Sequence, residues 1–317
     1  MMKETGGYFS LELSHIDNMP HSDGILLNTG RNAIEYILRS ILPDISKLHI
    51  PYFTCDTVLE PLEKLHVPYD FYPINEKLEL SVDIELEKGE YLLYTNYYGI
   101  KDAYVHELDR RYSNQLIVDN AQALYCPATG KSAYSPRKYV GIPDGGIAFT
   151  DKNVTETFDR DCSYDRCSHL LKRADLNAGE GYADFRTNSV KLKNQPIRQM
   201  SKLTKALINS IDFEAVKEKR RKNFQILHEA LEKSNGLPIP DMVSFACPLI
   251  YPYLTDDSTL KKRLIDNKIF VATYWPNVLE WCKEDTLEFR LADRVIAIPV
   301  DQRYGEEEMK YIIEKII

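Results

Sequence analysis

Three short apolar runs constrain this chain more than any other feature: Tyr91 to Thr95 (YLLYT), Leu116 to Asp119 (LIVD) and Gly146 to Thr150 (GIAFT). Each is too short for a helix with one wet face, and each has the form of a strand covered on both sides. Between the first two, Ala103 to Tyr112 reads as a crossover helix. Upstream, residues 31 to 42 carry Ala33, Ile34, Ile37, Leu38, Ile41 and Leu42 at three-four spacing, which predicts an amphipathic helix capped by Asn28 or Thr29. Leu48 to Tyr52 and the aromatic-rich Val67 to Ile74 read as strands around a helix at Thr57 to Leu65, with Val58, Leu62 and Leu65 on one face. Strand and helix in this alternation predict an α/β fold, a mostly parallel sheet flanked by helices.

The second half reads differently. Met200 to Lys233 is predicted as one long helix whose run Lys217 to Lys222 (KEKRRK) is a solvated face. A strand-helix-strand unit follows at Cys247 to Leu254, Leu260 to Asn267 and Ile269 to Thr273, and a helix from Glu306 to Ile317 closes the chain. These elements predict a small C-terminal α+β domain, so that residues 1–212 form a large domain and 213–317 the small one. A length of 317 residues has room for both. With 40 basic against 48 acidic side chains the net charge is −8, which disfavours nucleic acid as a partner. No apolar run reaches the roughly 18 residues of a membrane-spanning helix, and MMKETGGYFS lacks the apolar core of a secretory signal. Six scattered cysteines point to reduced thiols, so a cytoplasmic location is expected.

Four local features carry chemistry. Asn28-Thr29-Gly30-Arg31 opens the first helix, where a glycine allows close approach and free N–H groups attract an anion; read alone it is equally a capped helix. Asp119 ends a buried strand, where open α/β sheets place their ligands, with Gln122 three residues on; alone it is equally a cap or a structural ion pair. Ser135-Pro136-Arg137-Lys138 lies between a strand candidate and the turn Asp144-Gly145-Gly146, a placement that can hold a lysine beside a ligand. Thr95-Asn96-Tyr97-Tyr98-Gly99 follows a buried strand as a pocket wall or a plain turn.

In this order the features resemble the fold-type I pyridoxal-phosphate enzymes, and more narrowly the DegT/DnrJ/EryC1/StrS sugar aminotransferases. The matching pieces are TGRNAIEYIL (29–38), IPYFTCDTV (50–58), LIVDNAQAL (116–124) and SPRKYVGIPDGG (135–146), with RQMSKLTKALINSID (198–212) resembling the segment after the family's last active-site loop. The resemblance implies that Lys138 holds pyridoxal 5'-phosphate as an aldimine, that Asp119 binds its ring nitrogen and that Gln122 packs near its ring oxygen. Gly30 and Arg31 would hold the phosphate through backbone N–H groups, Ser135 would add a hydroxyl, and Asn96 is counted with the cofactor residues. The implied activity is transfer of an amino group from an amino acid, glutamate foremost, to a keto sugar linked to a nucleotide, in a homodimer serving sugar or polysaccharide biosynthesis.

The chain also departs from that pattern. The stretch from Asp119 to Lys138 is shorter by about ten residues, and Ser135 lies closer to the lysine than the family's serine does. Where an aromatic side chain usually stacks on the ring stands Cys55, leaving Tyr52, Phe53 or Tyr98 as substitutes. The segment that reaches a neighbouring subunit's substrate is replaced by Tyr182 to Arg186 (YADFR), so Tyr182 and Arg186 are the substrate candidates, or by the stretch ending at Arg198. These departures motivate the alternative of a non-catalytic member that binds the cofactor or a partner without turnover. A sugar dehydratase fits less well, because that subgroup typically has histidine where Lys138 stands. Cys162, Cys167 and His169 lack a fourth ligand, so no metal is expected. Trp275 and Trp281, flanking a Pro-Asn turn, are expected to pack within the small domain, and Asp301 to Tyr304 to form a cap and ion pair before the last helix.

Overall fold

The computed structural model describes residues 5–317. After an extended N-terminal segment the elements run β1 (Ile25–Leu27), α1 (Gly30–Ile41), β2 (Lys47–Pro51), α2 (Leu59–Leu65), β3 (Tyr69–Tyr72), β4 (Glu90–Thr95), α3 (Asp102–Tyr112), β5 (Leu116–Asn120), β6 (Ser132–Tyr134) and β7 (Gly146–Phe149). Then come α4 (Ser168–Asp175), α5 (Ala178–Lys191), α6 (Lys202–Asn209), α7 (Phe213–Leu231), β8 (Ile250–Leu254), α8 (Leu260–Asp266), α9 (Val278–Trp281), α10 (Leu287–Arg294), β9 (Val295–Pro299) and α11 (Glu306–Ile316).

The first seven strands form one sheet in the order β1-β7-β6-β5-β4-β2-β3. Strands β2 to β6 run parallel, β7 is antiparallel to β6, and β1 is antiparallel to β7. Successive side chains of the central strands serve two separate apolar clusters. Leu92, Tyr94, Val118, Tyr134 and Ile147 face one, while Leu93, Ile117, Ala133 and Ala148 face the other. That alternation explains the unbroken apolar runs, since a strand covered on both faces has no wet side. Helix α1 seals the second cluster with Ile37 and Leu38, both fully buried, each contributing on the order of 1.5–3 kcal/mol. The first cluster runs without a break from β4 and β5 through α3 into Val216, Phe224, Leu227 and Leu231 of α7 and on to β8.

Two expectations about the second half are corrected. The predicted helix from Met200 to Lys233 breaks at Ser210 to Asp212, because Asp212 caps α7 by accepting from the N–H groups of Glu214 and Ala215, both at 3.1 Å. The predicted strand at Ile269 to Thr273 makes one isolated bridge, Ala272 to Ala297, and the partner of β8 is β9, in antiparallel register from Ile250–Pro299 to Leu254–Val295. Helices α4 and α5, unforeseen, pack on each other as a hairpin. Among the described residues no helix is long and apolar enough to cross a membrane.

Candidate active site

The carboxyl ends of β1, β4, β5 and β6 and the start of β7 share one edge of the sheet, and the connections there converge. Thr29 caps α1, its Oγ1 accepting from Asn32 N at 3.0 Å and its carbonyl from Ala33 N. The N–H groups of Gly30 and Arg31 are left over, since the helix itself has no use for them. Gly145, at φ +119°, donates to Asn28 O at 2.7 Å, and a Cβ on Gly146 would stand 2.1 Å from Thr29 O, so the Gly-Gly turn runs directly beneath the start of α1. From the other side Ser135 closes in: a Cβ on Gly30 would lie 3.1 Å from Ser135 Cβ. The Ser135 hydroxyl has no hydrogen bond among the described residues. Asp144 holds the turn by accepting from Arg166 at 2.8 Å, Ser163 at 2.5 Å and Thr204 at 2.5 Å.

Asp119 is buried at the end of β5. One of its oxygens accepts from Ala121 N at 2.9 Å; the other has no donor among the described residues. Burial pushes its pKa up, against the opposing pull of the Lys138 charge and the Ala121 N–H. Lys138 ends a single turn of 3-10 helix, Pro136–Lys138, closed by Lys138 N donating to Ser135 O at 3.1 Å and started by a proline whose φ is preset. Its side chain is exposed, without ion pair or hydrogen bond among the described residues, and its charge reaches both Asp119 and Cys55. The Cys55 thiol is pushed up in pKa first by burial, with Lys138 opposing. Gln122 accepts from Tyr98 N at 2.9 Å through Oε1, while its buried Nε2 has no partner.

Other candidates are committed elsewhere. The Asn96 amide donates to Asp102 and Asn120 and accepts from Lys101 N, so its role here is to tie strand ends together. The Arg31 guanidinium turns to Leu192 O at 2.9 Å and lies 3.3 Å from Glu60, which leaves its backbone N–H as the group facing the site. Of the aromatic substitutes for Cys55, Tyr52 stacks on Phe71 and Phe53 on Tyr97, while Tyr98 keeps a buried hydroxyl with no partner. Tyr182 and Arg186 lie exposed on α5 and make no contact with Lys138 among the described residues. Cys162 is exposed, Cys167 bonds to Ser163 O and His169 packs on Phe185. Arg303 pairs with Asp301 at 2.6 Å, and Gly305 caps the last helix.

No family model and no curated protein matches the chain. Solved structures do. An aminotransferase described as DegT DnrJ EryC1 StrS from Brucella abortus superposes with a TM-score of 0.63 at 16% identity, over 92% of this chain and 84% of that one. The fold is that of the DegT/DnrJ/EryC1/StrS aminotransferases. DesV of S. venezuelae, in complex with a ketimine intermediate, gives 0.61 at 15% identity over 92% and 83%. NtdA of Bacillus subtilis with bound PMP gives 0.64 at 12% identity over 92% and 72%. Within this aminotransferase fold, the surroundings of three residues escaped the sequence reading. Trp275, expected to pack inside the small domain, instead sets its ring edge-on to Phe53 at 4.7 Å and parallel to Tyr98 at 6.3 Å. Asn277 donates to Thr54 O at 2.9 Å and fastens that segment to the Cys55 loop, a contact no local pattern announces. Arg137, read only as the neighbour of Lys138, has a buried Nη1 without a partner.

Proposed function

We propose that this chain is a pyridoxal-phosphate-dependent aminotransferase that moves an amino group from an amino acid, glutamate foremost, to a keto sugar carried on a nucleotide. The observation that carries the reading is the convergence of Lys138, an unpaired primary amine, on Asp119, a buried carboxylate with one oxygen undonated. The cofactor fits what the residues lack. Asp119 needs a cationic donor, Gln122 Nε2 needs an acceptor, and the Ser135 hydroxyl and the first turn of α1 are open to an anion.

Pyridoxal phosphate supplies an aldehyde that condenses with amines and a protonated ring that takes up the electron pair released at the substrate carbon. Asp119 keeps that ring nitrogen charged, for a carboxylate without water is stabilised by the proton it faces. Gln122, whose Oε1 is fixed by Tyr98 N, would turn its free Nε2 donor to the ring oxygen. Lys138 is the attachment point and then the base that moves a proton at the reacting carbon. Gly30, Arg31 and Ser135 would hold the phosphate, and Cys55 would stand on the ring's side where a larger side chain is usual. Tyr182 and Arg186, exposed on α5, serve the sugar substrate of a second copy in a cytoplasmic homodimer.

The test is a half-reaction. Protein loaded with pyridoxal phosphate and given glutamate without a keto acceptor should lose its aldehyde-form absorbance and release 2-oxoglutarate in equal amount, and Lys138→Ala should release none. A loaded wild type that never converts with any amino acid would support binding without turnover.

A further inference from the structure

Arg137 stands between Ser135 and Lys138 on the one-turn helix that presents the lysine. Its Nη1 is buried and makes no hydrogen bond among the described residues, and its guanidinium lies 5.9 Å from the Phe185 ring of α5. The carboxylate whose charge reaches it is Asp144, which is already engaged by Arg166, Ser163 and Thr204. Arg31, a like charge, lies close enough to depress the Arg137 pKa further after burial has lowered it. A cation that is desolvated, repelled by its neighbour and without a carboxylate of its own calls for an anion. Two residues before Arg137, Ser135 closes on the first turn of α1, where Gly30 abuts it and the helix leaves N–H groups free.

We infer that Arg137 is the charge partner of the cofactor's phosphate, clamping it against Ser135 and the start of α1. The inference rests on the proposed function. A guanidinium offers two parallel donors to phosphate oxygens and a fixed charge. It compensates for the shortened loop, which leaves Ser135 as the hydroxyl on this segment next to the lysine.

The experiment compares two ligands that differ only in the phosphate. Apo protein is titrated with pyridoxal 5'-phosphate and with pyridoxal, following the absorbance of the Lys138 adduct, in wild type, Arg137→Gln and Arg137→Lys. Arg137→Gln should weaken the phosphate ester by roughly 10- to 100-fold, the loss of one charge-assisted hydrogen bond. It should leave pyridoxal within about twofold, a change too small to count as a lost contact. Arg137→Lys, which keeps charge and loses the fork, should fall between. Inorganic phosphate should compete with pyridoxal phosphate in wild type and much less in Arg137→Gln. Equal weakening of both ligands, or none for the ester in either variant, overturns the assignment while leaving the cofactor reading intact. A folded wild type that binds neither ligand at Lys138 overturns the cofactor reading, and this inference with it.

Discussion

Replacing Asp119 with Asn separates what the carboxylate costs the fold from what it does for a ligand. Asp119 is buried, one oxygen is held by Ala121 N, and the other has no donor. Leaving a charged buried group one hydrogen bond short costs about 1–3 kcal/mol. Its folded pKa lies above the ordinary carboxylate value, driven by burial and only partly offset by Lys138. A carboxyl raised in this way contributes stability below its unfolded pKa of about 3.9 and loses it as pH climbs through the folded value. The apo Asp119→Asn protein should therefore be more stable than apo wild type at pH 7 to 8 by about 1–3 kcal/mol. At roughly 2–4 °C per kcal/mol for a domain of this order of size, that is a melting point several degrees higher. The gap should narrow steadily as pH falls toward the unfolded carboxyl value of about 3.9. Added pyridoxal phosphate should reverse the ranking, stabilising wild type and hardly touching the variant. The assay is thermal unfolding of both proteins across pH, with and without the cofactor. An apo variant that is less stable at every pH by the same amount would refute the reasoning, for then the carboxylate is a structural partner and not a charge held for a ligand.

Three further outcomes follow from the same geometry. Gly146→Ala should fail to fold or lose more than about 3 kcal/mol in urea unfolding, because its Cβ would stand 2.1 Å from Thr29 O in a turn that neither backbone can vacate. Arg166→Met should cost about 3–5 kcal/mol by the same measurement, since it removes the cation that buried Asp144 and Asp161 share at 2.8 and 2.6 Å, leaving Asp144 two hydroxyl donors and Asp161 the half-exposed Arg198 at 3.1 Å. At pH 8, mass spectrometry after brief iodoacetamide treatment should find Cys162, which is exposed, labelled well before Cys55, whose thiol burial pushes up, and cofactor should slow Cys55 further.

Where side chains had to serve two apolar clusters at once, the sequence was readable. The runs YLLYT and LIVD have no polar alternation because Leu92 and Leu93, or Ile117 and Val118, face opposite cores. The site residues on strand ends inherited that clarity, since a carboxylate directly after LIV has few places to go. Helix α5 was not legible: AGEGYADFRTNSVK carries two glycines and keeps Tyr182, Phe185 and Val190 exposed, so no apolar stripe marks it. Ile269 to Thr273 has strand-forming residues, but β-propensity says nothing about which run finds a partner, and the pairing with β8 went to Val295–Pro299. The break before α7 was present as Asp212 ahead of Phe213, a cap signal overridden by the length of the charged helix that follows. Asn96 follows a buried strand and is counted with the cofactor residues in the sequence reading, yet three neighbours use up its amide. Arg137 and Trp275 depend on segments far apart in sequence and left no local trace.

The central claim is that Lys138 is the amine to which the cofactor attaches, and chemical trapping tests it most directly. Folded protein is incubated with pyridoxal phosphate, reduced with borohydride, digested and mapped by mass spectrometry. The account predicts one phosphopyridoxyl group, on Lys138, and none in Lys138→Ala. A modification concentrated on another lysine, or a folded wild-type protein that takes up no label, would contradict it.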